Sequence, residues 1–154
     1  MPLLANPATI PLADEAATVA LARRLAAVVR PHDVLALSGP LGAGKTAFAR
    51  GFIRALAGPD EVVPSPSFTL VETYDTPLGA VWHLDLYRLA TPSEVWELGF
   101  EEALQGLAVL IEWPERLGPL LPARRLDLDL AEGPTPDSRV ARLAARGGSG
   151  WLAR

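Results

Sequence analysis

Three features of the sequence predict a single-domain α/β fold with central parallel strands, an antiparallel hairpin, C-terminal strands and helices on both faces. First, the apolar run 34–37 leads directly into Gly39-Pro40-Leu41-Gly42-Ala43-Gly44-Lys45-Thr46 and then into a helical pattern. That is the strand, glycine loop and helix order of a G-x-x-x-x-G-K-[ST] phosphate-binding loop, and of a P-loop NTPase-like sheet. Second, the run 107–111 is short and wholly apolar, as suits a strand buried on both faces. Third, segments flanking these two runs alternate apolar and polar residues and are joined by turn chemistry. With 154 residues, about half of them apolar, there is room for one core and no second independent domain.

In order along the chain, residues 14–29 predict a first helix, capped by Asp14, with Val19, Leu21, Leu25, Val28 and Val29 on its apolar side and Pro31 beyond its end. The strand 34–37 follows, then the glycine loop. The next helix covers residues 47–56, with Phe48, Phe52, Ala55 and Leu56 on one face and Arg50 and Arg54 on another, and ends near Gly58-Pro59. A strand is expected from residue 65 through Phe68 and Leu70 toward Tyr74, a turn at 75–79, and a return strand at 80–86. Thr91 caps a further helix with Pro92 at its first position and Val95, Leu98 and Leu104 toward the core. After the strand 107–111, the alternations Leu126, Leu128, Leu130 and Val140, Leu143 predict two half-exposed strands linked by 133–137. Residues 146–154 begin with Arg146-Gly147-Gly148-Ser149-Gly150 and read as a flexible tail, in which Trp151 is ordered only against a partner or a neighbouring surface.

Composition narrows the function. A formal charge of −4 lacks the broad positive field of a dedicated nucleic-acid binder, which favours nucleotide or protein partners. Cysteine is absent, so disulfides and thiolate metal sites are excluded. The opening Met1-Pro2-Leu3-Leu4-Ala5-Asn6 has no basic n-region, and no segment approaches the roughly 18 continuous apolar residues of a membrane span. The expected address is cytoplasmic, with no membrane partner.

Chemistry concentrates at the glycine loop. Its glycines let successive N–H groups converge on phosphate oxygens, the helix start faces the anion, Lys45 reaches the outer phosphates, and Thr46 offers a hydroxyl to Mg²⁺. The candidate nucleotide contacts on the loop are Gly39, Gly42, Ala43, Gly44, Lys45, Thr46 and Ala47. Two acids end apolar strands: Asp85, in Trp82-His83-Leu84-Asp85-Leu86, and Glu112, in Val109-Leu110-Ile111-Glu112-Trp113. Ligands of open α/β sheets bind beyond the carboxyl ends of the strands, so either acid can face a metal or position a water there. The competing reading of each is a strand-end salt bridge.

Taken together, these segments resemble the TsaE proteins, also called the YjeE or YdiB family, bacterial ATPases of tRNA threonylcarbamoyladenosine biosynthesis. The resemblance rests on Gly42-Ala43-Gly44-Lys45-Thr46, Ser65-Pro66-Ser67-Phe68-Thr69-Leu70-Val71-Glu72, His83-Leu84-Asp85-Leu86-Tyr87-Arg88-Leu89 and Ile111-Glu112-Trp113-Pro114, in order and at similar spacing. It runs from about Ile10 to the last strands, and the opening segment 10–18 also looks like the family's start. The resemblance implies that Thr18 lies near the bound nucleotide, that Glu112 serves the metal site and hydrolysis, and that Asp85 acts beside the metal. It also implies ATP and Mg²⁺ as cofactors, a role in t6A formation at adenosine 37 of tRNA, and action with TsaB and TsaD. Contact with tRNA would then be indirect. The chain departs from the family pattern at Pro40, where Asp is usual, and at Ser67, where Thr is usual; neither change removes a phosphate or metal ligand.

Other residues stay open. Thr69 either senses the γ-phosphate or simply occupies a strand, and Trp113 either covers the site, meets a partner or packs. His83 has only His32 as a companion, too few for zinc, and reads as a satisfied structural histidine. Arg88 and Arg139 either aid phosphate or partner binding or form solvated faces. Two other functions compete: a small-molecule kinase, which needs a second pocket and an arginine-bearing lid where this chain reads as a hairpin, and a nucleotide-dependent protein-binding switch. The guanine-reading N-K-x-D pattern is absent, Asn6 being the only asparagine, which favours ATP over GTP.

Overall fold

The computed structural model describes residues 5–154; the first four, read above for a targeting signal, lie outside the described residues. Seven strands form one sheet in the order β1-β7-β6-β2-β5-β4-β3. The strands are β1 (Ala8–Leu12), β2 (Asp33–Ser38), β3 (Val71–Thr76), β4 (Gly79–Asp85), β5 (Ala108–Glu112), β6 (Arg125–Glu132) and β7 (Arg139–Arg146). At its centre β6, β2, β5 and β4 run parallel, and the pairs β1 with β7, β6 with β7 and β3 with β4 are antiparallel. The predicted class holds: the two apolar runs are the buried middle of the sheet, every residue of β5 being buried.

Helices cover both faces. Helix α1 (Glu15–Ala26) begins where Asp14 accepts a hydrogen bond from the Ala17 N–H at 2.9 Å. It packs with α2 (Lys45–Ala57), whose Phe48, Phe52 and Ile53 are fully buried. Val28 and Val29 fall beyond α1, in a turn where Val28 N–H bonds the Leu25 carbonyl, yet they still pack on that core. The opposite face is covered by the 3-10 segment Pro92–Leu98, the short α3 (Phe100–Ala103) and the 3-10 segment Pro114–Leu120, through Val95, Phe100 and Leu117. Among the described residues, no helix is long and apolar enough to cross a membrane.

Three local expectations are corrected. The strand expected from residue 65 begins only at Val71. Pro64 and Pro66 lack N–H donors, and Leu70 adopts φ 66° while donating to the Pro66 carbonyl at 2.7 Å, so the segment turns instead of pairing. The helix expected after Thr91 is broken at Gly99, which adopts φ 87°. A Cβ there would meet the Trp82 ring at 3.1 Å, so the chain bends where the ring passes. Finally, residues 146–154 are packed, not loose. The neighbouring surface that orders Trp151 is the chain's own core, in which it is fully buried. Arg154 completes the closure with a bidentate pair to buried Asp33, at 2.7 and 2.9 Å. Strand β1 is an addition that the reading did not contain; Pro11 suits it because β1 is an edge strand.

Candidate functional site

Parallel pairing decides what the two acids can do. In the ladder β2, β5, β4, Leu37 faces Glu112 and Glu112 faces Asp85, so three strands end level with one another. The glycine loop leaves from the first of these ends, through Ser38 and Gly39, and opens α2 at Lys45. Both carboxylates therefore stand beside the start of α2, and both are buried. That juxtaposition follows from register, which sequence alone does not reveal.

The loop is curled by its glycines. Ala43 N–H bonds the Pro40 carbonyl at 3.1 Å, a turn that Pro40 tolerates because its carbonyl, not its missing N–H, is used. Lys45, only 5 % exposed, donates through Nζ to the Gly39 carbonyl, and the same ammonium lies 3.5 Å from the centre of the Trp113 ring. Trp113 takes that position with φ 61°, directly after Glu112, and packs against Tyr87 with ring centres 5.0 Å apart. Burial pushes the Lys45 pKa below its ordinary value, while Glu112, Glu115 and Asp85 oppose that fall without reversing it.

Thr46 Oγ1 lies 3.4 Å from both oxygens of Glu112. Oxygens that far apart fit neighbouring positions around Mg²⁺, whose ligands at about 2.1 Å stand roughly 3 Å from one another. Among the described residues, no three His, Cys, Asp or Glu side chains gather to cage a metal. A hydroxyl and a carboxylate at a phosphate loop instead match the way Mg²⁺ is usually held, by one or two carboxylates with substrate phosphates. Asp85 is held close by: its Oδ1 accepts from Tyr87 N–H at 3.1 Å and its Oδ2 from Ser67 Oγ at 3.3 Å. Ser67 thus retains the hydroxyl function expected at that position.

On the other side of the loop, a cavity of about 80 Å³ is lined by Thr18, Gly42, Ala43, Gly44, Ala47 and Arg139, among others. Thr18 is buried here, on α1, against the loop. Arg139 donates to the Gly42 carbonyl at 3.0 Å and to the Pro136 and Ser138 carbonyls at 2.8 Å. Thr69 stands apart, in the turn before β3, donating to Glu72 at 3.2 Å. Twelve predicted residues thus fall into a loop group, an acid and aromatic group beside it, Thr18 behind it and Thr69 outside it.

Two residues were undervalued by the sequence. Arg139, read as open between phosphate, partner and solvent, ties β7 to the loop. His83, read as a satisfied structural histidine, is fully buried, with Nε2 2.6 Å from Glu112 Oε2 and, among the described residues, Nδ1 without a partner. His83 and Asp85 are two apart on a strand and so share a face, but the contact with Glu112 comes from the pairing of β4 with β5.

A strand feeding a glycine loop, a helix opening on Lys45-Thr46 and carboxylates level with that opening define a nucleotide-binding domain of the P-loop class. Residues 12–140 match the model of the family described as threonylcarbamoyl adenosine biosynthesis protein TsaE. The chain belongs to the TsaE family. It is 44% identical over 119 residues to the tRNA threonylcarbamoyladenosine biosynthesis protein TsaE of Rickettsia felis, covering 77% of this chain and 70% of that one. To the protein of the same name from Bacillus subtilis it is 41% identical over 112 residues, covering 72% and 69%. The crystal structure of Bacillus subtilis YdiB superimposes with a TM-score of 0.77 at 31% identity, over 92% of this chain and 87% of that one.

Proposed function

We propose that this chain is a Mg²⁺-dependent ATP hydrolase of tRNA N6-threonylcarbamoyladenosine biosynthesis, acting in the cytoplasm with TsaB and TsaD. The observation that carries the reading is the meeting of Thr46 and Glu112 at the start of α2, beside a buried lysine that also belongs to the glycine loop. The backbone of Gly39, Gly42, Ala43, Gly44 and Ala47 surrounds the phosphates, and Thr18 closes the site behind them. Lys45 exchanges its bond to the Gly39 carbonyl for phosphate oxygens, a charge-assisted contact. Thr46 and Glu112 would hold Mg²⁺, with Asp85 beside them, and a bound ion would supply positive charge against the charge developing on the phosphates. Glu112 or Asp85 orients the attacking water, Trp113 keeps bulk water from the lysine, and Thr69 reports the γ-phosphate to the segment before β3.

Hydrolysis would then support or reset the TsaB and TsaD assembly, since ATP and product states differ in their contacts at this surface and only differential affinity shifts a binding equilibrium. Contact with tRNA is indirect on this reading. The test is an ATPase assay of the chain alone and with TsaB and TsaD, comparing wild type with Lys45→Ala and Glu112→Ala. Both variants should lose the partner-stimulated rate. Lys45→Ala should in addition weaken nucleotide binding by roughly 10- to 150-fold, the loss of one hydrogen bond to a charged group at about 1.5–3 kcal/mol. A variant hydrolysing at the wild-type rate removes the role assigned to its residue.

A further inference from the structure

The geometry points to His83 as a positioning residue for Glu112: its Nε2–H fixes one carboxylate oxygen so that the group presents a set face to Thr46 and the metal. This inference rests on the metal site proposed above. His83 lies on β4 opposite Leu110, two residues before Asp85, and Glu112 lies two residues after Leu110 on β5. The two side chains are therefore diagonal neighbours on one face of the sheet, within reach for long side chains. The 2.6 Å contact between Nε2 and Glu112 Oε2 is a short, charge-assisted one, and it is sealed from solvent, His83 being 0% exposed.

The tautomer follows from the partner. An ionised carboxylate only accepts, so Nε2–H donates to Oε2, and Nδ1 is buried with no partner among the described residues. Packing alone does not explain that arrangement, because an apolar side chain at this point would spare the unpaired Nδ1 and give up only the bond to Glu112. What the imidazole adds is directional: with Oε2 tethered, the carboxylate cannot rotate, and both its oxygens stay 3.4 Å from the Thr46 hydroxyl. Untethered, the group would sample rotamers that separate it from Thr46. Partners of this kind, one shell behind a metal ligand, typically account for 10- to 100-fold in metal affinity.

The experiment measures Mn²⁺ binding to the full chain saturated with ADP, by electron paramagnetic resonance, and ADP binding in chelator, by calorimetry. His83→Leu should weaken Mn²⁺ binding to the ADP complex by about 10-fold or more while leaving metal-free ADP affinity within about 3-fold. His83→Gln, whose amide nitrogen can take the place of Nε2, should restore most of the Mn²⁺ affinity, and His83→Asn, which is too short, should not. Equal Mn²⁺ affinity in wild type and His83→Leu overturns the inference, as does a parallel loss of metal-free ADP binding. Should His83→Leu fail to fold, the Gln and Asn variants decide it, and equal affinities in those two overturn it. A wild-type chain that binds ADP but no Mn²⁺ instead removes the metal site itself, a distinct failure.

Discussion

Replacing Arg154 with methionine tests how the chain is closed, and its size can be worked from contacts. Arg154 donates to both oxygens of Asp33, to the Val28 carbonyl at 2.9 Å and to the Ser149 carbonyl at 3.4 Å. Its guanidinium also lies 4.3 Å from the Trp151 ring centre. The side chains of Arg154 and Asp33 are 3% and 1% exposed, so removing the cation leaves a buried carboxylate whose remaining partner among the described residues is the Arg30 N–H, at 2.6 Å. Stranding one member of a buried pair costs about 3–5 kcal/mol. At about 2–4 °C per kcal/mol for a chain of this size, the melting temperature should fall by roughly 6–20 °C. Urea unfolding followed by circular dichroism should show a lower midpoint at unchanged slope, and raising the salt should not erase the difference because the pair is not screened. Adding Asp33→Asn to the same chain should recover part of the loss. A loss under about 1 kcal/mol, as for an exposed ion pair, would refute the packed closure and restore the flexible tail.

Tyr74 gives a pH signature away from the site. Burial raises its pKa, with Glu72 and Glu61 adding to the rise and Arg50 opposing it. The native phenol thus keeps its proton at pH values where the unfolded chain, near pH 10, gives it up. Its contribution is complete below about pH 10 and is lost as pH climbs through the raised native value, so Tyr74→Phe should flatten the fall in urea midpoint above about pH 10. An unchanged slope would rule out the shift. At the glycine loop, Gly39→Ala should damage folding and nucleotide affinity together, because Gly39 has φ 140° and a Cβ would run into the Leu130 carbonyl. Gly42→Ala, at φ 80° with open space around it, should cost only about 1–2 kcal/mol of backbone strain; melting curves showing equal losses would contradict the tight packing of Gly39.

What the sequence made legible was whatever depends on neighbours along the chain. The loop, its flanking strand and helix, and the two acids at strand ends all carry local signals of pattern and residue type. Whether Asp85 and Glu112 meet depends on the register of β4 on β5, and nothing local encodes that. The partner of His83 was hidden for the same reason: it is 29 residues away, across a strand pair. The tail was misread because glycine counts as flexibility in composition, whereas here Gly147, Gly148 and Gly150 adopt positive φ and turn the chain so that Trp151 reaches the core. The segment 65–70 failed as a strand because Pro66 within it and Pro64 just before it outweighed its apolar residues.

Charge explains why the proposed site calls for a metal. Lys45 is influenced by three carboxylates, Glu112, Glu115 and Asp85, which outnumber it. For scale, two unit charges about 6 Å apart at an effective dielectric near 20 interact by roughly 3 kcal/mol. A bare polyphosphate brought to the loop would gain the lysine and the loop amides but face repulsion from acids that one ammonium does not offset. A divalent cation placed between Thr46 and Glu112 reverses the balance, since the carboxylates that opposed the phosphates then hold the ion that attracts them. On the proposed reading each therefore binds better in the presence of the other, and each must raise the affinity of the other by the same factor. Two acids used only as strand-end salt bridges would produce no such coupling. On this argument their cost to a metal-free nucleotide is what makes the site selective for the metal-bound form.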